Sequence, residues 1–370
     1  MKQFNVLLFG VFCTLAACKK ESPEDPVESL MTCSEPSDTV IVADRSFKMG
    51  FSTWPYATGI EAKEGTYAFI DQNADIYSEQ FDDHIPWMAI MDNRPMAEPM
   101  ARDLNERVQL KLSKDLVVSV SLFNPERNDL ITGYMGNTPT YSKLNDQQIE
   151  DTYYYYLNAV LDSLAPEYLV MAMEVNEFYL NKPEQWEDYK LLATNIKERL
   201  KIDYPELLIS ESVTLHNLVD ADDNEYLTEI IDYVNTMDFA AISYYPFIHG
   251  ALNQSAFERD LAFLKEHITK PIALVETAHI AEDLELENPP LLLEGDECTQ
   301  KDYMQAMLRA ADESDFEFVI WWSHKDFDAL WNTFPDDVKP LGKLWRDTGL
   351  INEKDQERPA LQLWQAVFMD

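Results

Sequence analysis

Residues 168–177 read YLVMAMEVNE and residues 272–276 read IALVE; each is a short apolar run that ends on a glutamate. Runs of this length without helical period suit strands buried on both faces, as in a parallel sheet. Taken as 168–175 and 272–276, they are two of eight such runs, the others lying at 47–51, 76–81, 116–122, 207–213, 239–244 and 318–322. Between them fall stretches of helical period at 96–113, 146–164, 183–203, 224–235, 254–267 and 299–314, with a last one at 359–368. Asn145-Asp146 before one helix, and Thr299 with Asp302 three residues on in another, are starting signals that satisfy free amides of a first turn. Strands alternating with helices in this order predict an α/β fold, a closed (β/α)8 TIM barrel. The alternative is an open doubly wound sheet, which wants a glycine-rich first turn to cradle phosphate. Gly50-Phe51-Ser52-Thr53-Trp54 is not such a turn.

Upstream of the barrel, residues 1–17 carry one basic residue, Lys2, and an apolar run too short to span a bilayer permanently, which reads as a signal peptide. Leu15-Ala16-Ala17-Cys18 resembles a bacterial lipobox, where Cys18 takes a lipid and becomes the mature amino terminus. An ordinary signal peptide with an incidental cysteine is the alternative. Residues 18–43 form an acidic tether too poor in apolar side chains to fold, and 44–370 are left for one barrel domain. The expected location is the cell envelope, as an outer-membrane lipoprotein. Acidic residues just after Cys18 resemble the surface-export signals of Bacteroidota lipoproteins. The expected state is a monomer that touches membrane only through the lipid on Cys18.

The 67 acidic and 29 basic residues give a formal charge of −38. Repulsion on that scale argues against nucleic acid, anionic lipid and sulfated or uronate polymers, and leaves a neutral or cationic partner. A soluble acidic surface in a salty habitat explains most of the charge without any substrate. Of four cysteines, Cys13 leaves with the signal and Cys18 carries lipid, so Cys33 and Cys298 remain. An oxidising compartment permits them to pair, but two free thiols are the expectation. No zinc-type spacing is present, and no cofactor is expected.

In a barrel of this kind the residues after each strand converge on one pocket. Here they include Glu174, Asn176 and Glu177 after run four, Tyr244 and Tyr245 at run six, Glu276 at run seven, and Trp321, Trp322 and His324 at run eight. Retaining hydrolysis of a glycoside needs two carboxyl groups roughly 5 Å apart, one to attack the anomeric carbon and one to protonate the leaving oxygen. Two glutamates at the fourth and seventh strand ends can supply them. The nucleophile must stay ionised near donors, while the acid/base needs a raised pKa.

Asn176-Glu177 at strand four with Glu276 at strand seven resembles glycoside hydrolase clan A. Within it, Ile242-Ser243-Tyr244-Tyr245-Pro246-Phe247-Ile248-His249-Gly250 is similar to the sixth-strand motif of family 53, the arabinogalactan endo-β-1,4-galactanases. The resemblance implies Glu177 as acid/base, Asn176 as ligand of the hydroxyl beside the anomeric carbon, Glu276 as nucleophile, and Tyr245 or Tyr244 as its orienting residue. It implies His249 as the histidine that touches sugar and a neutral β-linked glycan as substrate. Three departures stand against the galactan assignment. Strand two offers Tyr77, Glu79, Phe81 and His84 where the clan usually has an arginine, the nearest being Arg94; Val175 replaces a glycine; and Trp322-Ser323 replaces Trp-Glu.

Other readings of the same residues stay open. Glu174 is either a structural partner or, if the register of strand four slips, the acid itself. Glu211 lies in an apolar run and reads as a buried network member. Trp54, Trp87, Trp321, Trp322 and Trp331 could stack on sugar or pack the core; alternation sends only one of Trp321 and Trp322 inward, taken here as Trp322, with Trp54 as the second platform. His216, His249, His279 and His324 after strands raise a metal-dependent hydrolase, although the first strand lacks the His-x-His of barrel amidohydrolases. A catalytically silent surface glycan-binding lipoprotein is the third class. Segments 124–145 and 279–298 are long enough to line or lid a cleft.

Overall fold

The computed structural model describes Cys33, Val42 and residues 44–96, 98–287 and 290–369. The signal peptide, Cys18 and most of the 18–43 tether lie outside the described residues. The described chain is a (β/α)8 barrel. Its strands are β1 (Lys48–Ser52), β2 (Ile76–Phe81), β3 (Asp115–Val120), β4 (Tyr168–Val170), β5 in two segments (Leu208–Ser210 and Ser212–Thr214), β6 (Ala240–Tyr244), β7 (Ile272–Thr277) and β8 (Phe318–Trp321). All pair in parallel, and β8 returns to β1. The first segment of β5 pairs with β4 and the second with β6, so the ladder closes across Glu211, which belongs to neither segment. One outer helix follows each strand: α1 (Ile60–Asn73), α2 (Glu98–Leu110), α3 (Gln147–Leu164), α4 (Trp186–Asp203), α5 (Asn224–Val234), α6 (Gln254–His267), α7 (Glu297–Glu313) and α8 (Pro359–Met369).

Alternation along the strands divides the core in two. Ile76, Val117, Val170, Ala241, Ala273, Phe318 and Ile320 pack together inside the barrel. The residues between them, among them Tyr77, Val118, Leu169, Ile242, Leu274 and Val319, pack outward against the helices. Gly50 shares the inner face, where an added Cβ would collide with the Ile76 carbonyl oxygen and stand 2.7 Å from Ile320 Cδ1, so no side chain fits. Toward the carboxyl ends the inner face turns small and polar, with Ser52, Ser78, Ser119 and Ser243 all buried. Small side chains there leave room above the apolar plug, where the site forms.

Several elements differ from expectation. Helix α1 goes unseen in the sequence because its buried positions, Ala62, Thr66, Tyr67 and Ile70, include only two large side chains. Strand β4 stops at Val170, and the chain passes through Glu174 at φ 56° into a short helix, Val175–Asn181. The cap of α7 is Asp296, whose carboxylate accepts from the Thr299 amide, so Thr299 is capped rather than capping. Asp146 stands at the start of α3, but its carboxylate is turned to the Ser142 amide. Cys33 and Cys298 form a disulfide with Cα atoms 5.2 Å apart, which corrects the expectation of free thiols. Folding brings the first turn of α7 beside a cysteine 265 residues earlier, a proximity that spacing alone does not encode.

The loops at the carboxyl face are tied by one buried cation. Arg358, just before α8, bonds Asp326 and the Gly349 carbonyl through Nη1 and Glu282 through Nη2, each at 2.8 Å. It thereby joins the segment after β7 to the one after β8. The latter, residues 323–358, carries two short helices, Asp328–Trp331 and Lys339–Arg346. Segment 279–298 carries a hairpin of Leu284–Glu287 and Pro290–Leu293.

Candidate active site

Glu276 ends β7, where the register with β6 shifts by one residue so that Ser243 lies opposite Glu276. Val275 already packs into the barrel interior, and the bulge lets the next residue turn inward too. The carboxyl is buried and accepts two hydrogen bonds, from Tyr245 hydroxyl to Oε1 and from Gln80 Nε2 to Oε2 at 2.9 Å. Gln80 lies on the inner face of β2 in step with Ile76 and Ser78, and it occupies the place where an arginine was sought. Its neighbours Tyr77 and Glu79 point outward. Glu79 bonds Tyr67, Thr53 and Arg107, and Arg94 is exposed beside Asp92. Burial, then the charge of Glu174, raises the Glu276 pKa; the Tyr245 bond opposes them, Asp82 adds to the rise and Gln80 to the opposition.

Glu177 stands in the first turn of the short helix after β4 and is part-exposed. Its Oε1 is 3.4 Å from Asn217 Nδ2 and 4.0 Å from His216 Nε2. Burial and then the neighbouring Glu174 push its pKa up to about 7, against Arg127, Asn217 and Thr214. Glu174 has both oxygens engaged, Oε2 with Arg127 Nη2 at 2.7 Å and Oε1 with Ser243 Oγ at 3.0 Å. A loosely held carboxyl with a raised pKa suits a proton donor, whereas one clamped between a guanidinium and a hydroxyl does not. Arg127, from the 124–145 segment, is a site residue that sequence reasoning missed; nothing local marks it among the loop's polar residues.

Trp54 and Trp322 pack 5.2 Å apart above β1 and β8, and the indole nitrogen of each is buried without a protein partner. Trp321 is turned outward, with Nε1 bonded to the Thr348 carbonyl at 3.0 Å. Trp87 is also spent in the core, on the Ile131 carbonyl. Trp331 lies under Arg346 and Lys339, with Nε1 bonded to the Lys339 carbonyl at 2.9 Å. Trp345, in the segment after β8, packs 5.7 Å from Tyr245 and leaves its own indole nitrogen unpartnered. Only the fold reveals it, because nothing in the short helix Lys339–Arg346 marks which distant side chain its indole will meet.

Other expected residues hold the scaffold. Tyr244 is buried and donates to Asp260 at 2.8 Å, so Tyr245 alone orients Glu276. Asn176 is fully buried, its amide donating to the Thr214 carbonyl and Tyr226 hydroxyl and accepting from the Thr214 amide. These bonds fix the orientation of its amide next to Glu177 in sequence. His249 has Nδ1 3.1 Å from Asp220 and Nε2 3.1 Å from Asp260. His279 and His324 are buried, and desolvation lowers them to about 4 and about 3. Glu211 is buried between the β5 segments, bonded to Tyr233. Among the described residues, the groups spaced to gather round a cation are Glu282 with Asp326 and Glu353, and Asp326 with Asp328 and Asp347. Neither group includes a histidine, Glu177 or Glu276, and Arg358 already pairs with Asp326.

No family model matches the chain, and no curated protein matches its sequence. Solved structures match its fold. The GH5_18 protein of Streptomyces cattleya in complex with GlcNAc is similar over 88% of this chain and 79% of its own, with 15% identity and a TM-score of 0.62. The GH53 catalytic domain of Ignisphaera aggregans matches over 87% and 96%, at 14% identity and TM-score 0.56. The exo-β-1,4-mannosidase Op5Man5 of Opitutaceae bacterium strain TAV5 matches 87% of this chain and 59% of its own, at 14% identity and TM-score 0.59. At such identities the likeness is one of fold, the (β/α)8 barrel.

Proposed function

We propose that the chain is a retaining glycoside hydrolase acting on a neutral β-linked glycan, galactan-like or related. The observation that carries this is the contrast between two inward carboxyls at the mouth of one barrel. Glu276 is buried and oriented by two donors, Tyr245 and Gln80, while Glu177 is part-exposed and loosely held by Asn217. An Oε atom of Glu276 attacks the anomeric carbon as the glycosidic C–O bond breaks, and the leaving oxygen takes the proton of Glu177. Water then attacks the same carbon, gives its proton to Glu177 and releases Glu276. Burial and the charge of Glu174 raise both carboxyls, so the free site takes up protons more readily than two isolated glutamates. Part-exposed Trp54, backed by the buried ring of Trp322, offers an apolar ring surface for a pyranose.

The fold relatives support the sugar chemistry: they include GH53 and GH5_18 proteins, GH standing for glycoside hydrolase, and an exo-β-1,4-mannosidase. The test is product analysis on β-1,4-galactan, β-1,3-glucan and β-mannosides, run beside calorimetry with the matching oligosaccharides. Release of shorter sugars with retained configuration is expected. A second reading, a silent surface glycan binder, is favoured by the neutral Gln80 in place of a cation beside Glu276; tight binding without cleavage would select it. The signal peptide, the lipid on Cys18 and an outer-membrane location are part of the same proposal and rest on the sequence around Cys18.

A further inference from the structure

Both partners of one ion pair at the barrel mouth have left-handed backbones. Arg127 has φ 49° and Glu174 has φ 56°. Such a conformation costs a non-glycine residue about 1 kcal/mol or more and persists only where surrounding contacts impose it. Three contacts impose it on Glu174. Its amide donates to Ser212 Oγ at 2.9 Å in the second β5 segment, and its carboxylate meets Arg127 at 2.7 Å and Ser243 Oγ at 3.0 Å. Arg127 is held in turn, with Nη1 3.0 Å from the Asn124 carbonyl and Nε buried without a partner.

The position is as informative as the strain. Ser243, which receives one end of Glu174, lies opposite Glu276 in the β6–β7 register. Glu177 donates its amide to the Glu174 carbonyl at 3.1 Å, one turn away. A carboxylate is therefore anchored beside each member of the proposed catalytic pair, with its counter-ion Arg127 also facing Glu177.

We infer that the Arg127–Glu174 pair is a positioning device for both glutamates, an anchored pair of charges that sets the field felt by Glu177 and Glu276 alike. This rests on the proposed mechanism for its consequence in turnover, but not for its effect on proton affinity. The groups that face Glu276 are Glu174, Asp82, Tyr245 and Gln80; those that face Glu177 are Glu174, Arg127, Asn217, Thr214 and His216. Glu174 is the negative charge common to both sets. Where a cation beside the nucleophile would lower its carboxyl, Glu174 acts in the other direction and raises both carboxyls together, so the site works at higher pH.

The decisive property is that the two partners act in opposite directions. Glu174→Gln removes the negative charge and should move the titrations of Glu177 and Glu276 to lower pH by about one unit. Arg127→Met leaves Glu174 unneutralised and should move that of Glu177 to higher pH. The full-length protein labelled with carboxyl-13C glutamate is titrated by NMR, with Glu177→Gln and Glu276→Gln identifying the two signals, and pH–rate profiles are recorded alongside. Opposite shifts in the two variants support the inference even if the wild type cleaves no glycoside, a result that would sink only the proposed activity. Unmoved titrations in folded Glu174→Gln and Arg127→Met, or shifts of the same sign in both, would overturn it. A purely structural pair would lower thermal stability and leave both titrations in place.

Discussion

Glu211 interrupts β5 with a buried carboxyl, and removing its charge should change how stability depends on pH. One oxygen accepts from Tyr233 at 2.7 Å and the other has no partner. Burial lifts the pKa from 4.5 to about 7, against Tyr233 and Tyr189. The sign follows from linkage: the fold binds the proton more tightly than the unfolded chain, so this contribution is complete below pH 4.5 and is lost as pH rises through about 7. Between pH 5 and pH 8 the loss amounts to about 2.5 kcal/mol. For a domain of this size that is about 4 °C in Tm. Glu211→Gln keeps the shape and the tyrosine contacts without the titration. The difference in Tm between variant and wild type, measured by scanning calorimetry, should therefore grow by about 4 °C in the variant's favour from pH 5 to pH 8. Parallel curves would show that Glu211 is not a buried acid and would refute the reasoning.

Gln80→Leu and Tyr245→Phe each remove a donor to Glu276, and kcat should fall about 10²-fold in either variant. Both donors favour the ionised nucleophile, so the acidic limb of kcat/KM should also move to higher pH, whereas Gln80→Arg should move it lower. Trp322→Ala should raise KM about tenfold through lost stacking, with a smaller effect on kcat. For location, Cys18→Ala should release soluble protein and globomycin should cause the precursor to accumulate; an unchanged membrane fraction in both would refute lipidation.

The barrel was legible because burial on both faces makes each strand a short apolar run, and seven of eight runs end within two residues of the observed strand. The exception, at strand four, runs on to Val175, past the end of the strand at Val170 and through left-handed Glu174 into a short helix, with no change in hydrophobicity to mark the end. Gln80 was missed through parity. Ile76, Ser78 and Gln80 share the inward face of β2, yet Tyr77 and Glu79, on the outward face, drew attention as aromatic and charged residues. Asn176 and His249 sit next to functional positions in sequence but spend their polar atoms on the scaffold, which only three-dimensional partners reveal. Arg127, Trp345 and the Cys33–Cys298 bond are long-range, and no periodicity encodes which distant segment a side chain will meet.

The central claim, that Glu276 attacks and Glu177 delivers the proton, is tested most directly by rescue of two glutamate variants with azide on a substrate bearing a good leaving group. In Glu276→Gly, turnover should vanish, and azide should restore it with a product of inverted configuration, because the anion enters the space left by the nucleophile. In Glu177→Ala, the glycosyl-enzyme should still form from a dinitrophenyl glycoside and break down slowly, and azide should speed its release with retained configuration. Exchange of the two stereochemical outcomes would reverse the roles of the glutamates, and an inverting wild-type enzyme would contradict the double displacement altogether.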